Sequence, residues 1–169
     1  MLVGQQIRSA AFEDVETLST FAAAIYTVAF GESFAPDDLA AHLGRNLSPG
    51  AFRQYLHRDI ILLAYENDAM TGFVQFGPAD SGNSNDREVR RLYVLPRRQN
   101  AGIGTQLMTR ALEHPSIAGA GNIYLDVWED NLAAQRLYAR FGFAVIGTRP
   151  FAVASGRETG SDLIMVLRR

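Results

Sequence analysis

Apolar residues recur every three or four positions through the first third of the chain. From Phe12 they continue at Val15, Leu18 and Ile25, a spacing that puts them on one face of an amphipathic helix. Acidic residues fill the first turns, where the helix dipole favours negative charge, and Gly31 is predicted to end the helix. Two shorter helices are predicted to follow, each with a proline in its first turn.

Beyond these helices the pattern changes to short apolar runs separated by turns, which is typical of strands and hairpins. Polar loops are predicted at 78–86 and 154–160, because small and polar residues cluster there. In chain order, the pattern predicts a strand at 5–8, helices from 12, 36 and 49, strands at 59–66, 69–76 and 87–95, a helix at 102–114, a strand at 121–128, a helix at 131–141, and strands at 143–147 and 161–167. This order indicates a mixed α/β fold on one sheet, with strand–helix–strand crossovers in its second half.

Composition narrows the class of protein. The 169 residues, 47% hydrophobic and 20% charged, predict one globular domain spanning 1–169. A net charge of −2 gives no basic excess for a nucleic-acid backbone, so no nucleic-acid partner is expected. The absence of cysteine excludes disulfides, zinc–thiolate sites and a cysteine nucleophile. The three histidines lack ligand spacing, so no metal site is predicted.

The chain has no apolar segment suited to a membrane. Its first ten residues contain no apolar signal core, and the longest apolar runs, near 21–30 and 60–65, are shorter than the ~20 residues that span a bilayer. A cytoplasmic protein without a membrane partner is therefore expected.

The most informative segment is a strand that stops at Pro96 and is followed by a polar turn and a helix opening with Gly102-Ile103-Gly104. The first turn of a helix leaves backbone N–H groups without partners, and the dipole adds partial positive charge. Glycines allow close approach of the backbone, so a pyrophosphate fits such a site. Arg97 and Arg98 add positive charge nearby.

Two other phosphate-binding motifs compete for this segment. A P-loop requires Gly-Lys-Ser/Thr, whereas this chain has Gly102-Ile103-Gly104-Thr105, so the P-loop interpretation fails. The dinucleotide-binding fingerprint requires a third glycine at the position that Leu107 occupies in this chain. Asp126 nevertheless lies about where that fingerprint has its ribose-binding acid. The helical start of the chain does not suit a doubly wound fold, which weighs against this second interpretation.

Three segments together resemble the GNAT superfamily of acetyltransferases. The run 99–104, Gln-Asn-Ala-Gly-Ile-Gly, is similar to its Gln/Arg-x-x-Gly-x-Gly/Ala motif, and the preceding Arg-Leu-Tyr-Val-Leu-Pro resembles its cofactor-binding strand. Residues 131–143 resemble its downstream signature of Asn, Ala, Tyr and then Gly-Phe. The segments 24–31 and 160–165 also look like those of the branch that includes bacterial polyamine (spermidine/spermine-type) N-acetyltransferases.

The resemblance implies a fold and a reaction. The expected fold is a single mixed, mostly antiparallel twisted sheet of about seven strands, flanked by helices, with a splay between the fourth and fifth strands. The expected activity is transfer of an acetyl group from acetyl-CoA to a primary amine of a small, polyamine-like molecule or a peptide. A non-catalytic acyl-CoA-binding or sensor module is the alternative. A homodimer is left open, because dimers are common in the family.

By resemblance, three sets of residues bind acetyl-CoA. The strand backbone would bind the pantetheine arm, the N–H groups at the glycine turn would hold the pyrophosphate, and the downstream helix would add further contacts. In that order, the expected residues are Leu92, Tyr93 and Val94; Gln99, Asn100, Ala101, Gly102, Ile103, Gly104 and Thr105; and Asn131 and Ala134. Asn131 could instead simply cap its helix.

Tyr138 and Glu88 are the expected catalytic residues. By resemblance, Tyr138 is the general acid that protonates the leaving CoA thiolate; otherwise it is a half-buried core tyrosine. The Val94 N–H could stabilise the oxyanion. Strand alternation puts Glu88 on the same face as Arg90, Leu92 and Val94, where it could act as the base. Otherwise it is a surface carboxylate paired with a nearby arginine.

Two further residues are weaker candidates for the substrate wall. They are Tyr26 and Glu32, and either could instead be structural or solvated.

Overall fold

The computed structural model describes residues 4–169, which form one seven-stranded sheet. Neighbouring strands are antiparallel except for a parallel β4–β5 pair, in the order β1-β2-β3-β4-β5-β7-β6. The strands are β1 Gln6–Ser9, β2 Ile60–Glu66, β3 Ala69–Pro78, β4 Arg87–Val94, β5 Asn122–Trp128, β6 Ala144–Ala152 and β7 Glu158–Arg168. The predicted mixed, mostly antiparallel sheet of seven strands is confirmed.

Within residues 4–169, six α-helices flank the sheet. They are α1 Val15–Phe30, α2 Pro36–Asn46, α3 Pro49–Leu56, α4 Ile103–Glu113, α5 Pro115–Ala118 and α6 Leu132–Arg140. The Ser48 hydroxyl accepts a hydrogen bond from the Ala51 N–H at 3.2 Å and so caps α3. Gly31 ends α1 in a right-handed conformation that leads into a single 3-10 turn. Helix α5 was not predicted, because four residues are too few to show a helical period.

The last two strands are longer than the sequence pattern indicates. Strand β6 continues to Ala152 and β7 begins at Glu158, so the predicted loop at 154–160 shrinks to a short turn. The pairing of these strands shifts at Val145/Gly147 and at Phe151/Ala152, and each shift breaks the period-two pattern. Pro150 is tolerated because β6 is an edge strand.

Apolar side chains fill both faces of the sheet. Helices α4, α5 and α6 cover one face, called here the α4–α6 face, with Leu107 and Met108 fully buried on it. Helices α1, α2 and α3 cover the other, the α1–α3 face, where Leu18 and Phe52 are fully buried. Each face of the sheet has its own core, so a gap between two strands can be entered by a ligand from either face.

The parallel β4–β5 pair opens into such a gap. These strands pair at Arg87↔Ile123, Glu88↔Tyr124 and Val89↔Leu125 and then diverge. Beyond the gap, β4 stays paired with β3 and β5 stays paired with β7 to their ends. The predicted splay between the fourth and fifth strands is therefore present, and each diverging half is supported on its other edge.

Among residues 4–169, no helix has the length and apolar character that crossing a bilayer requires.

Candidate active site

A cavity of about 1440 Å³ lies at the gap between β4 and β5. Residues from both faces of the sheet line it, with α4 and α6 on one side and α1, α2 and the β6–β7 hairpin on the other. The gap is therefore open, which keeps it available for an extended ligand.

The first turn of α4 faces this cavity with free backbone donors. Gly102 has φ +80° and Asn100 has φ +63°, and no side chain caps the helix. Within the described chain, the N–H groups of residues 100–105 have no hydrogen-bond partner, and Gln106 is the first to bond, to the Gly102 carbonyl at 3.0 Å. The start of α4 therefore presents six free amides, and their binding of a pyrophosphate stays a prediction. Gln99 is an exception, since its N–H donates to Pro96 O at 3.2 Å.

Most of the residues expected at the cofactor site line the cavity, and two do not. Those that line it are Leu92, Tyr93, Val94, Gln99, Asn100, Gly102, Gly104, Thr105, Asn131 and Ala134. Ala101 and Ile103 are absent from the wall, and the Ile103 side chain is buried in the core of the α4–α6 face. Their contribution to the site is limited to their free N–H groups.

The backbone of β4 presents alternate residues to the gap. The Leu95 N–H donates to Thr71 O at 2.8 Å, just beyond the β3–β4 ladder. Because N–H directions alternate along a strand, the N–H groups of Leu92 and Val94 point away from β3 and towards the gap. The Tyr93 N–H points to β3, so the expectation that the Tyr93 backbone binds the cofactor is corrected.

Tyr138 lies on α6 at the α4–α6 side of the gap. Its side chain is 7% exposed and lines the cavity. Within residues 4–169 its hydroxyl has no hydrogen-bond partner, and it is not one of the fully buried unpaired polar atoms. Burial raises the pKa of this phenol above its usual value, so the hydroxyl stays protonated and able to donate at neutral pH.

Asn131 begins the same helix and has the capping role that the sequence left open. Its Oδ1 accepts from the Ala134 N–H at 3.1 Å.

The position of Glu88 requires a correction. Phe76 pairs with Val89 and Gln75 with Arg91, so Arg90 is an extra, unpaired residue that forms a β-bulge. The bulge reverses the alternation and places Val89, rather than Glu88, on the face of Leu92 and Val94. Glu88 lines the cavity from the α1–α3 side, and the sequence argument for its face is wrong.

The Glu88 side chain is nonetheless partly shielded from solvent, and it forms an ion pair with Arg90. Its Oε2 accepts from Arg90 Nη1 at 2.6 Å, so the predicted arginine pairing also occurs. Burial is the largest effect and raises the pKa of Glu88; the negative charge of Asp126 raises it further, whereas Arg90 lowers it. The balance favours a carboxylate that takes up a proton more readily than a solvated glutamate does.

Two aspartates on the α1–α3 side were not expected as acceptor-site residues. Asp126 lies on β5 and Asp162 on β7, and both line the cavity. Burial raises the pKa of each, and the charge of Asp126 raises that of Asp162 further. Arg149 Nη1 lies 3.1 Å from Asp126 Oδ2. The alternation of residues along β5 predicts the position of Asp126. Ile123, Leu125 and Val127 are buried on one face of the sheet, so Asp126 lies on the other.

Aromatic rings complete the α1–α3 side of the cavity. Tyr26 stacks on His42 with ring centroids 4.3 Å apart, and Trp128 contacts Phe30 and Phe151 at 6.3 and 6.1 Å. All five residues line the cavity. The substrate-wall expectation holds for the position of Tyr26, whereas Glu32 is not part of the wall.

A mixed sheet that splays at a parallel pair, with an uncapped helix terminus beside the gap, is the arrangement expected from the resemblance to the GNAT acetyltransferases. The profile of the acetyltransferase (GNAT) family matches residues 21–143, and the chain belongs to this family.

The chain is similar to one N-acetyltransferase over nearly its full length and to another over about half of it. It is 32% identical over 155 residues to an uncharacterized N-acetyltransferase of Mycobacterium bovis, which covers 90% of this chain and 96% of the relative. It is also 34% identical over 94 residues to the spermine/spermidine N(1)-acetyltransferase of Bacillus subtilis, covering 53% of this chain and 61% of that protein. The chain is therefore an acetyltransferase enzyme.

Solved structures share the fold. The PaiA N-acetyltransferase of Thermoplasma acidophilum, solved in complex with coenzyme A, has a TM-score of 0.80 at 22% identity and covers 98% of this chain and 99% of its own. An acetyltransferase of Salmonella typhimurium, solved with acetyl-CoA, has a TM-score of 0.70 at 23% identity and covers 98% and 94%. At these identities the likeness establishes the fold.

Within the described residues, no group of three or more histidine, aspartate or glutamate side chains is arranged to hold a metal ion.

Proposed function

We propose that this enzyme transfers the acetyl group of acetyl-CoA directly to a primary amine of a small polycation such as a polyamine. One observation carries the proposal: the gap has free amides on its α4–α6 side and three partly buried carboxylates, Glu88, Asp126 and Asp162, on its α1–α3 side. A polyanionic donor suits the first side and a cationic acceptor suits the second.

The donor is held by backbone groups. The free N–H groups of residues 100–105 bind the diphosphate, helped by the helix dipole of α4. Arg136 and Arg140 of α6 also line this part of the cavity and add positive charge. The pantetheine arm passes into the gap and bonds the outward-facing backbone of Leu92 and Val94. The cofactors named for the Thermoplasma and Salmonella relatives support this assignment.

The acetyl group passes directly from the thioester to the amine, by addition to the acetyl carbonyl and loss of the thiolate. The amine nitrogen forms the new C–N bond, and the C–S bond breaks after a tetrahedral oxyanion that the Val94 N–H stabilises. Glu88 accepts a proton from the amine, and Tyr138 donates one to the departing thiolate. An alkyl ammonium with pKa ~10.4 is less than ~0.1% neutral at pH 7, which is why a base is needed.

The acceptor preference rests on the carboxylates and the aromatic wall. Asp126 and Asp162 share one nearby cation, Arg149, so they retain capacity for a second positive charge. Trp128 and Phe151 offer faces for methylene groups and cations. The name of the Bacillus subtilis relative, a spermine/spermidine acetyltransferase, agrees with a polyamine.

A panel of amines tests this proposal through the release of free CoA. Spermidine should give a kcat/KM at least about tenfold above that of a monoamine of similar length, since one additional charged contact contributes roughly 1.4 kcal/mol. Asp162→Asn should remove most of this preference by raising the KM for spermidine. Glu113→Gln, at an exposed residue outside the cavity, is the matched control and should preserve the preference.

Two results would contradict the proposal. Equal turnover of the monoamine and spermidine would remove the polycation preference. Binding of acetyl-CoA without turnover of any amine, including a peptide N-terminus or lysine, would favour a non-catalytic acyl-CoA-binding module.

A further inference from the structure

The bulge residue Arg90 bridges three separate parts of the α1–α3 side. Its Nε donates to Asp59 Oδ2 at 2.9 Å, its Nη1 donates to Glu88 Oε2 at 2.6 Å, and its Nη2 donates to the Pro78 carbonyl. Its side chain is 15% exposed. Because the Arg90 guanidinium is shielded from solvent and bonded to three partners, it is held in one orientation. Its hydrogen bond in turn fixes the direction of the Glu88 carboxylate.

Asp59 is the buried end of this bridge. Its side chain is 1% exposed, and Oδ2 accepts from Gln75 Nε2 at 2.7 Å as well as from Arg90. Oδ1 is buried without a hydrogen-bond partner in the described part of the chain. A carboxylate so far from water is tolerated because a cation is bonded to it.

Gly77 makes this contact sterically possible. A Cβ at position 77 would lie 2.1 Å from Asp59 Oδ1 and 2.9 Å from its Cγ, so a larger residue would displace the carboxylate. Gly77 also pairs directly with Glu88 across β3 and β4. The backbone is therefore open at the point where Asp59 reaches past β3 towards Arg90.

Gln75 extends the network away from the gap. Its side chain is fully buried, and its Oε1 accepts from Arg91 Nη1 at 2.7 Å. Arg91 Nη2 in turn lies 3.3 Å from the Tyr55 hydroxyl. Two cations and two carboxylates, Arg91, Asp59, Arg90 and Glu88, are thereby linked from α3 to the edge of the gap.

We propose that Asp59 is a positioning residue, which acts through Arg90 to hold the Glu88 carboxylate at the edge of the β4–β5 gap, where the amine is deprotonated. This inference rests on the proposed function, because it assigns a role to the surroundings of the base in that reaction. Asp59 itself does not contact the reacting atoms.

The charges that face Glu88 determine the direction of the expected effect. They are Arg90 on β4, Asp126 on β5, and Asp80 after β3, which is itself paired with Arg58 at 2.6 Å. Arg90 lowers the pKa of Glu88, whereas burial, Asp126 and Asp80 raise it. Loss of an oriented Arg90 therefore leaves Glu88 protonated to a higher pH, and the base becomes available only at a higher pH.

The decisive experiment compares pH profiles of kcat/KM for the full-length enzyme with acetyl-CoA and a responsive amine. Arg90→Gln should move the acid limb up by about one pH unit or more, the usual effect of removing an adjacent opposite charge. At a pH below that limb this is roughly a tenfold loss. Arg90→Lys keeps the charge but lacks the planar guanidinium fork that reaches Asp59, Glu88 and Pro78 at once. It should therefore move the limb less and still lower kcat. Arg53→Gln, which breaks an exposed ion pair with Glu16, should leave the profile unchanged.

Asp59→Asn tests the positioning step itself. It should lower kcat with little change in the KM for acetyl-CoA, because an unanchored Arg90 no longer fixes the direction of the carboxylate. It should not raise the acid limb as Arg90→Gln does, because the positive charge of Arg90 stays beside Glu88. If Asp59→Asn does not fold, Arg90→Gln and a 13C titration of the Glu88 carboxyl in the unliganded protein still test the inference. That titration should show the pKa of Glu88 rising in Arg90→Gln.

The outcomes separate this inference from the proposed function. An active wild type whose pH profile is unchanged by Arg90→Gln, and whose kcat is unchanged by Asp59→Asn, would overturn the positioning role and leave acetyl transfer intact. An inactive wild type in which the 13C titration still shows the shift would refute the proposed function, while the Asp59–Arg90–Glu88 linkage would stand.

Discussion

Tyr138 combines burial with a hydroxyl that has no protein partner in the described chain. The hydroxyl is not among the polar side-chain atoms that the described chain buries without a partner, so it reaches the cavity, where a ligand can meet it. This position beside the gap suits a donor of protons, and the pKa raised by burial keeps the hydroxyl protonated.

Replacing this hydroxyl should affect turnover more than binding. Tyr138→Phe should lower kcat by about 10²-fold, at the lower end of general-acid effects, with little change in the dissociation constant of acetyl-CoA. Steady-state kinetics and calorimetry measure the two quantities. Tyr65→Phe, outside the cavity, is the control, and an unchanged kcat in Tyr138→Phe would remove Tyr138 from the mechanism.

Glu88 shows where residue-level prediction from sequence stops. The sequence found the residue but assigned its face by simple alternation, and the Arg90 bulge reversed that face. The segment 87–91 has polar residues on both sides of Val89, so no apolar pattern marked the bulge. Asp59 and its link to Arg90 depend on contacts between residues 31 positions apart, which no local pattern contains.

At the scale of elements, the start of α4 is the part of the site that the sequence predicts best. Glycine at a left-handed position and the lack of a capping side chain are local properties, and both are present at Gly102. Free N–H groups then follow from helix geometry alone.

Gly102→Ala should weaken acetyl-CoA binding by roughly tenfold, the equivalent of one charge-assisted hydrogen bond. A Cβ there meets no protein atom within 4 Å and would instead project into open space beside the free amides. Gly82→Ala is a close control, because Gly82 has φ +81° and also no neighbour within 4 Å. Both variants should lose about 1–2 kcal/mol of stability. Equal acetyl-CoA affinity in the two, measured by calorimetry, would contradict the cradle.

The β6–β7 hairpin is the element that the sequence predicted least well. Its register shifts and its edge position conceal the strand period, so Phe151 was assigned to no element. Asp162 lies at the start of the last predicted strand, 161–167, which is shorter than β7. The part of the cavity wall that this hairpin forms was therefore not predicted, whereas the turn at the start of α4, which depends on local chemistry, was.

At the scale of the whole molecule, the order of helices and strands predicts a mixed single sheet, and the structure confirms it. The local pattern does not predict the splay, because strand pairing depends on partners that are distant in sequence. The splay was expected from the family resemblance. A single domain, a homodimer and a cytoplasmic location stay predictions.

The gap is lined by different groups on the two faces of the sheet. Free amides lie on the α4–α6 side, and the carboxylates on the α1–α3 side lie beside arginines, as Glu88 does beside Arg90. A donor and an acceptor of opposite charge can therefore approach the same gap from opposite faces, which aligns them for transfer.

Hydrogen–deuterium exchange at the start of α4 tests this account most directly. The amides of residues 100–105 are free in the structure, so they should exchange rapidly in the unliganded protein. Saturating acetyl-CoA should slow their exchange at least about tenfold, while that of α3 stays unchanged. Unchanged exchange at residues 100–105, under conditions where the enzyme turns over, would contradict the claim that these amides hold the donor.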